Sequence, residues 1–143
     1  MRLVSFNFDK MNIERLSDTN ERLKIDTNVD ISSIEKVESE FFNNKEDIVH
    51  IKFKYSINYE PNFAKIEFKG NLFFTLDQKS SKELLKKWKD KEISEDVKLF
   101  VFNIILIKSN IKALQLEDEF NLPPHIPLPR FSKENKESEN NQK

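Results

Sequence analysis

Between residues 48 and 76 apolar and polar side chains alternate almost without a break. Val49, Ile51, Phe53, Tyr55, Ile57 and Tyr59 fall on one side of an extended chain, and His50, Lys52, Lys54, Ser56 and Asn58 on the other. After Glu60-Pro61-Asn62 the pattern resumes, with Ala64, Ile66, Phe68, Gly70, Leu72, Phe74 and Leu76 in phase. A period of two with one apolar face marks a half-buried antiparallel strand. Proline fixes φ and asparagine tolerates a left-handed bend, so residues 60–62 predict a turn. The two runs predict a long hairpin whose apolar face needs a cover. Gly70, the single glycine of the chain, predicts a bulge or a close crossing by a packed helix.

Shorter runs precede the hairpin. Val4, Phe6 and Phe8 alternate with polar residues, as do Leu23, Ile25, Thr27, Val29 and Ile31. Residues 32–46 are less regular and set Phe41-Phe42 in a polar connection. After residue 76 the period changes. Ser80 and Glu83 form a capping box that predicts a helix from near Ser81, with Leu84, Leu85 and Trp88 on its apolar face. Ser94 predicts the cap of a second helix running to about Phe120, with Glu95 and Asp96 in its first turn. Phe100, Ile104, Ile107, Ile111 and Leu114 repeat there at helical spacing. Residues 97–107 are apolar around nearly the whole circumference, whereas a helix on one sheet needs only a stripe. A second subunit is the economical cover, so Phe100, Val101, Ile104, Ile107 and Ile111 are the candidate oligomer interface. Four prolines in residues 122–131 then force an extended path with Leu122, Ile126, Leu128 and Phe131 as apolar teeth. The fold class expected is α+β, a four-stranded antiparallel sheet followed by two C-terminal helices. It forms one domain over residues 1–131, with a disordered polar tail at 132–143.

Composition removes whole classes of chemistry. With one glycine in 143 residues, the chain cannot easily build phosphate-cradling loops or dinucleotide sites. It has no cysteine, hence no thiol nucleophile and no thiolate metal site. His50 and His125 stand far apart, without a nucleophile pattern or metal-ligand spacing around them. No catalytic residue, metal or cofactor is expected, and the chain is read as a binder and not an enzyme. Its 24 basic and 25 acidic residues argue against nucleic acid or an anionic membrane as partner. The longest apolar run, 97–107, is too short to span a bilayer. The start of the chain carries no apolar leader, and a cytoplasmic location is expected.

The order of these elements resembles the SecB family of protein-export chaperones. The resemblance rests on the aromatic strand 4–8, RLKIDTNVDIS at 22–32, the connection 33–46 and the hairpin 48–76. It continues through the helices from Ser81 to LPPHIPLPRF at 122–131, and covers residues 3–131. It implies a dimer of dimers with helices packed between the sheets. It also implies an ATP-independent holdase that binds unfolded polypeptides in long apolar grooves, in protein export or in the protection of antitoxins. Carried over, Phe41 and Phe42 of the connection become candidate polypeptide-binding residues, with Phe120, Leu122, Ile126 and Leu128 beyond the long helix. The tail SKENKESENNQK is charge-balanced, unlike the acidic tail of some members. Two other readings compete with this one. Lys52, Lys54, Lys65 and Lys69 near Phe63 and Phe73 suit a single-stranded nucleic-acid-binding sheet. An apolar-ligand carrier would also need no acid or base on the inner face.

Overall fold

A computed structural model describes residues 1–18, 22–38 and 45–133. Four strands come first, β1 (Arg2–Arg15), β2 (Lys24–Val37), β3 (Glu46–Glu60) and β4 (Ala64–Asp77). Two helices follow, α1 (Gln78–Trp88) and α2 (Glu95–Glu119). The strands make one antiparallel sheet in the order β1-β4-β3-β2, so β1 and β2 are its edges. The expected fold class is the observed one. Both helices lie on one face of the sheet, and that face is the core. Val49, Ile51, Tyr55, Ile57, Ile66, Phe68, Leu72 and Phe74 are wholly buried there. Each such side chain contributes roughly 1.5–3 kcal/mol by leaving water.

The hairpin is as the alternation predicts. β3 and β4 pair without a register shift, and Asn62 turns through φ 48°. The outer strands are longer than the sequence pattern suggests. β1 runs on past residue 8 through a bulge between Phe8 and Lys10, and β2 past residue 31 through a bulge between Ile31 and Ser33. Each bulge adds one residue and reverses the phase of the alternation. Met11 and Ile13, and likewise Ile34, therefore return to the helix-covered face.

Gly70 is in close quarters, though not with a helix as one expectation had it. A Cβ there would stand 2.5 Å from the Asn7 carbonyl oxygen on β1 and 2.7 Å from Cζ of Phe53 on β3. The neighbouring strand and an aromatic ring demand the glycine. It pairs with Phe8, beside the β1 bulge.

α1 starts three residues before the expected Ser81. The carboxylate of Asp77 accepts from the Ser80 backbone N–H at 3.0 Å and caps the helix, and these bonds hold the Asp77 carboxyl below its usual range. α2 starts and ends as expected, but its sheet-facing row differs from the expected stripe. Val97, Val101, Ile105, Ser109, Ala113 and Glu117, each four residues on from the last, are the buried positions. A four-residue step overshoots one turn by about 40°, so this row winds around the helix as it crosses the twisted sheet. Leu99, Ile107 and Ile111 are left outward at 55%, 62% and 57% exposure. Val101 is 1% exposed and belongs to the chain's own core, a correction to its place in the candidate interface. Phe100 and Ile104 are half-buried beside the outward row. Among the described residues no helix is long and apolar enough to cross a membrane.

Candidate functional site

Where α1 ends and α2 begins, the chain forms an open cleft of about 560 Å³ against the edge strand β2. Trp88 is the last residue of α1, and Lys91 at φ 59° turns the chain out of the helix. Ile93 follows in the connection, and Phe102 comes from the second turn of α2. Val29 and Ile31 of β2 complete the apolar lining. The lining also includes the charged residues Asp30, Lys91, Glu92 and Lys98. The Lys91 ammonium lies 4.4 Å over the Trp88 ring and that of Lys98 5.6 Å over Phe102. Such contacts are weak at exposed sites, about 0.5–1 kcal/mol, so an entering side chain can displace them. The outer margin of β2 has no strand partner among the described residues. Its backbone N–H and C=O groups therefore line one side of the cleft as an unfilled template.

The C-terminal segment makes a different structure. Asn121, at φ 53°, ends α2, and the Leu122 N–H donates to the Glu117 carbonyl at 2.8 Å. The chain then folds back as a strap. Tyr59 donates its hydroxyl to the Pro123 carbonyl at 2.7 Å. The His125 backbone N–H donates to the Glu117 carboxylate at 3.0 Å, and Nδ1 of the same residue contacts the other carboxylate oxygen. On its far side Nε2 lies 2.9 Å from Oδ1 of Asn110 and 3.2 Å from the Tyr55 hydroxyl. Tyr55 in turn donates to Asn110 at 2.7 Å. The side chains of Glu117 and His125 are each 1% exposed. Burial, and then the charge of Glu117, pushes the phenols of Tyr55 and Tyr59 well above their ordinary value.

The candidate binding residues are thus divided. Phe41 and Phe42 lie outside the described residues. Leu122 is 5% exposed and sits in the core, a correction to its place in an open groove. Ile126 is half-buried in the strap, whereas Phe120 and Leu128 are exposed at 39% and 52%. Phe120, Leu122, Ile126 and Leu128 do not line the Trp88 cleft. The residues that do are scattered over three elements. Trp88 and Phe102 look in sequence like ordinary core positions of their helices.

No family model and no curated protein matches the sequence. A solved structure does match. It is the Mycobacterium tuberculosis Rv1957 SecB-like chaperone in complex with a ChAD peptide from the Rv1956 HigA1 antitoxin. The match covers 92% of this chain and 91% of that one, with a TM-score of 0.50 and 11% identity. The chain has the SecB-like fold. At that identity the likeness is one of architecture.

Proposed function

We propose that this protein is an ATP-independent holdase, which captures extended apolar segments of non-native polypeptides in the cleft between β2 and the helices. The observation that carries this reading is the juxtaposition of an unpaired strand edge with an aromatic cleft. An unfolded chain offers what both surfaces lack. Its backbone can add to β2 as a further strand, which is indifferent to sequence. Its alternate side chains then drop onto Trp88, Ile93 and Phe102. Burying one large aromatic side chain of about 150 Å² contributes up to roughly 4 kcal/mol at 25 cal/mol per Å². That affinity suits capture and release without a nucleotide cycle. The peptide-bound state of the SecB-like neighbour supports a polypeptide ligand and brings antitoxins into view as clients, beside precursors for export.

Phe41, Phe42, Phe120, Ile126 and Leu128 are proposed to extend the apolar surface toward longer clients. The outward row of α2, Leu99, Ile107 and Ile111 with Phe100 and Ile104 beside it, is proposed as the face that meets a second copy. Several clefts on one assembly would raise avidity for a chain that crosses them.

The test is dilution of a chemically unfolded client into buffer without ATP, followed by light scattering. Near-equimolar protein is expected to suppress scattering, and Phe102→Ser to weaken that effect. Trp88 is the sole tryptophan, so its emission should shift as the client binds. Unchanged scattering with several unrelated clients, and a silent Trp88, would reject the reading.

A further inference from the structure

The sheet face turned away from the helices carries an arrangement that works against its own stability. Lys10 on β1 pairs with Lys69 on β4, and Lys69 with Lys54 on β3, so three ammonium groups run in a row across three strands. Like charges directly opposite on one sheet face are destabilising. Lys52 lies two residues from Lys54 on the same face, and Lys65 pairs with Asn58 in a nearby row. Two acids stand among them, and one, Asp9 in the β1 bulge, accepts from the amides of Asn7 and of Asn71, the residue in register with Lys52. The other, Glu67, bridges Lys54 at 3.5 Å and Lys65 at 3.4 Å, with its side chain 13% exposed. Burial works to raise its carboxyl pKa, but Lys54 and Lys65 together hold it below the usual range. Lys10, Lys52 and Lys69 are exposed and make no ion pair among the described residues. In a chain of net charge -1 this is segregation, not excess.

The patch has limits that define what fits it. Glu14, in register with Lys65, bounds it at the β1 edge, and Asp26 and Asp30 bound it along β2. The lysines span β1, β4 and β3, about 10 Å or two strand spacings, and run roughly 20 Å from Lys65 to the register of Lys52 and Asn71. A single extended peptide fills such a strip. Its alternate residues repeat at about 7 Å, the separation of Lys52 from Lys54. A nucleic-acid strand fits less well. Phe73, the phenylalanine on this face of the central strands, is covered by the His50 ring at 4.3 Å and 6°. His50 is itself held by Asn71 at 2.8 Å, so that ring is not offered to a base.

We propose that this face docks an extended acidic segment of a partner polypeptide, with its carboxylates seated on Lys10, Lys52, Lys54 and Lys69. The face is opposite to the one carrying the Trp88 cleft, so the acidic partner and an apolar client can be held together. The proposal stands whether or not the cleft binds clients.

Fluorescence anisotropy with a labelled peptide of alternating Glu and Thr tests it on the full chain. Binding is expected at low salt, falling as salt rises, and is not expected for the matched peptide with Gln in place of Glu. Lys69→Glu should weaken binding at least about tenfold by reversing a charge at the centre of the patch. It should also raise the thermal midpoint, because it relieves the lysine row. Lys52→Glu, outside that row, should weaken binding with less gain in midpoint. No binding at low salt would overturn the proposal, as would binding that Lys69→Glu and Lys52→Glu leave unchanged. Tighter binding of an oligothymidylate, lost in the same variants, would overturn it in favour of a nucleic-acid face.

Discussion

Raising the pH above 10 should unfold this protein through its two tyrosines. Tyr55 and Tyr59 are 0% and 1% exposed, and both phenols titrate well above their ordinary value in the folded state. In the unfolded chain they ionise near pH 10. Below that pH both states hold the proton and the stability is fully present. Above it the unfolded state sheds protons that the folded state keeps, so stability falls as pH rises. For a phenol that stays protonated in the fold, the loss is about 1 kcal/mol over the first unit and near 1.4 kcal/mol for each further one. Two phenols double this to about 2 and then 2.8 kcal/mol, a large share of a typical domain's 5–15 kcal/mol. The chain has two tyrosines only, so tyrosinate absorbance reports this pair alone. The expected record is flat through pH 10, followed by one steep rise that coincides with loss of the circular dichroism signal. His125→Ala should open the strap and return part of the titration toward pH 10 with the sheet intact. A smooth wild-type titration centred near pH 10 on an intact fold would refute the account of the strap as closed over these residues.

Two further outcomes follow from the packing. Gly70→Ala puts a methyl group against the Asn7 carbonyl and the Phe53 ring, and is expected to cost about 1–3 kcal/mol in urea unfolding. Replacing Ile107 and Ile111 by Glu should leave the thermal midpoint of the monomer nearly unchanged, because both project outward. It should reduce the mass measured by light scattering to that of one chain if the outward row of α2 joins copies.

The central hairpin was legible because β3 and β4 meet without a bulge, so their alternation is unbroken from one end to the other. The edge strands were legible only between their bulges, and in β1 a further shift between Leu3 and Ser5 puts Leu3 on the core face and leaves Val4, expected there, 48% exposed. One inserted residue after Phe8, or after Ile31, makes the remaining strand read as an irregular connection. The start of α1 was misplaced because Ser80 resembles a cap, while Asp77 accepts the hydrogen bond. The all-round apolar character of α2 did signal an outward apolar row, left exposed among the described residues. It did not reveal which residues form it, because the buried row winds around the helix. Thus Val101 points inward and Ile107 outward. The Trp88 cleft was hidden, since Val29, Ile93 and Phe102 meet only when a sheet edge is brought beside two helix ends. The pair Glu117 and His125 was hidden too. A lone histidine among prolines gives no hint of a buried carboxylate eight residues earlier.

Arg15 ties the first strand to the last helix. Its guanidinium donates to the Phe120 carbonyl at 3.1 Å and to the Asn121 carbonyl at 3.4 Å, where the acidic end of α2 offers no basic residue of its own. These partners stand 105 and 106 residues apart. On a ribosome, β3 and β4 can zip as soon as they emerge, but the end of α2 cannot be capped until residue 121 is free. A partly made chain therefore carries its apolar sheet face without the cover of α2 from the time β4 emerges until that helix follows. In that interval the newborn protein itself exposes apolar strands and aromatic rings of the kind a holdase captures, so the proposed function makes it a candidate client of its own mature copies.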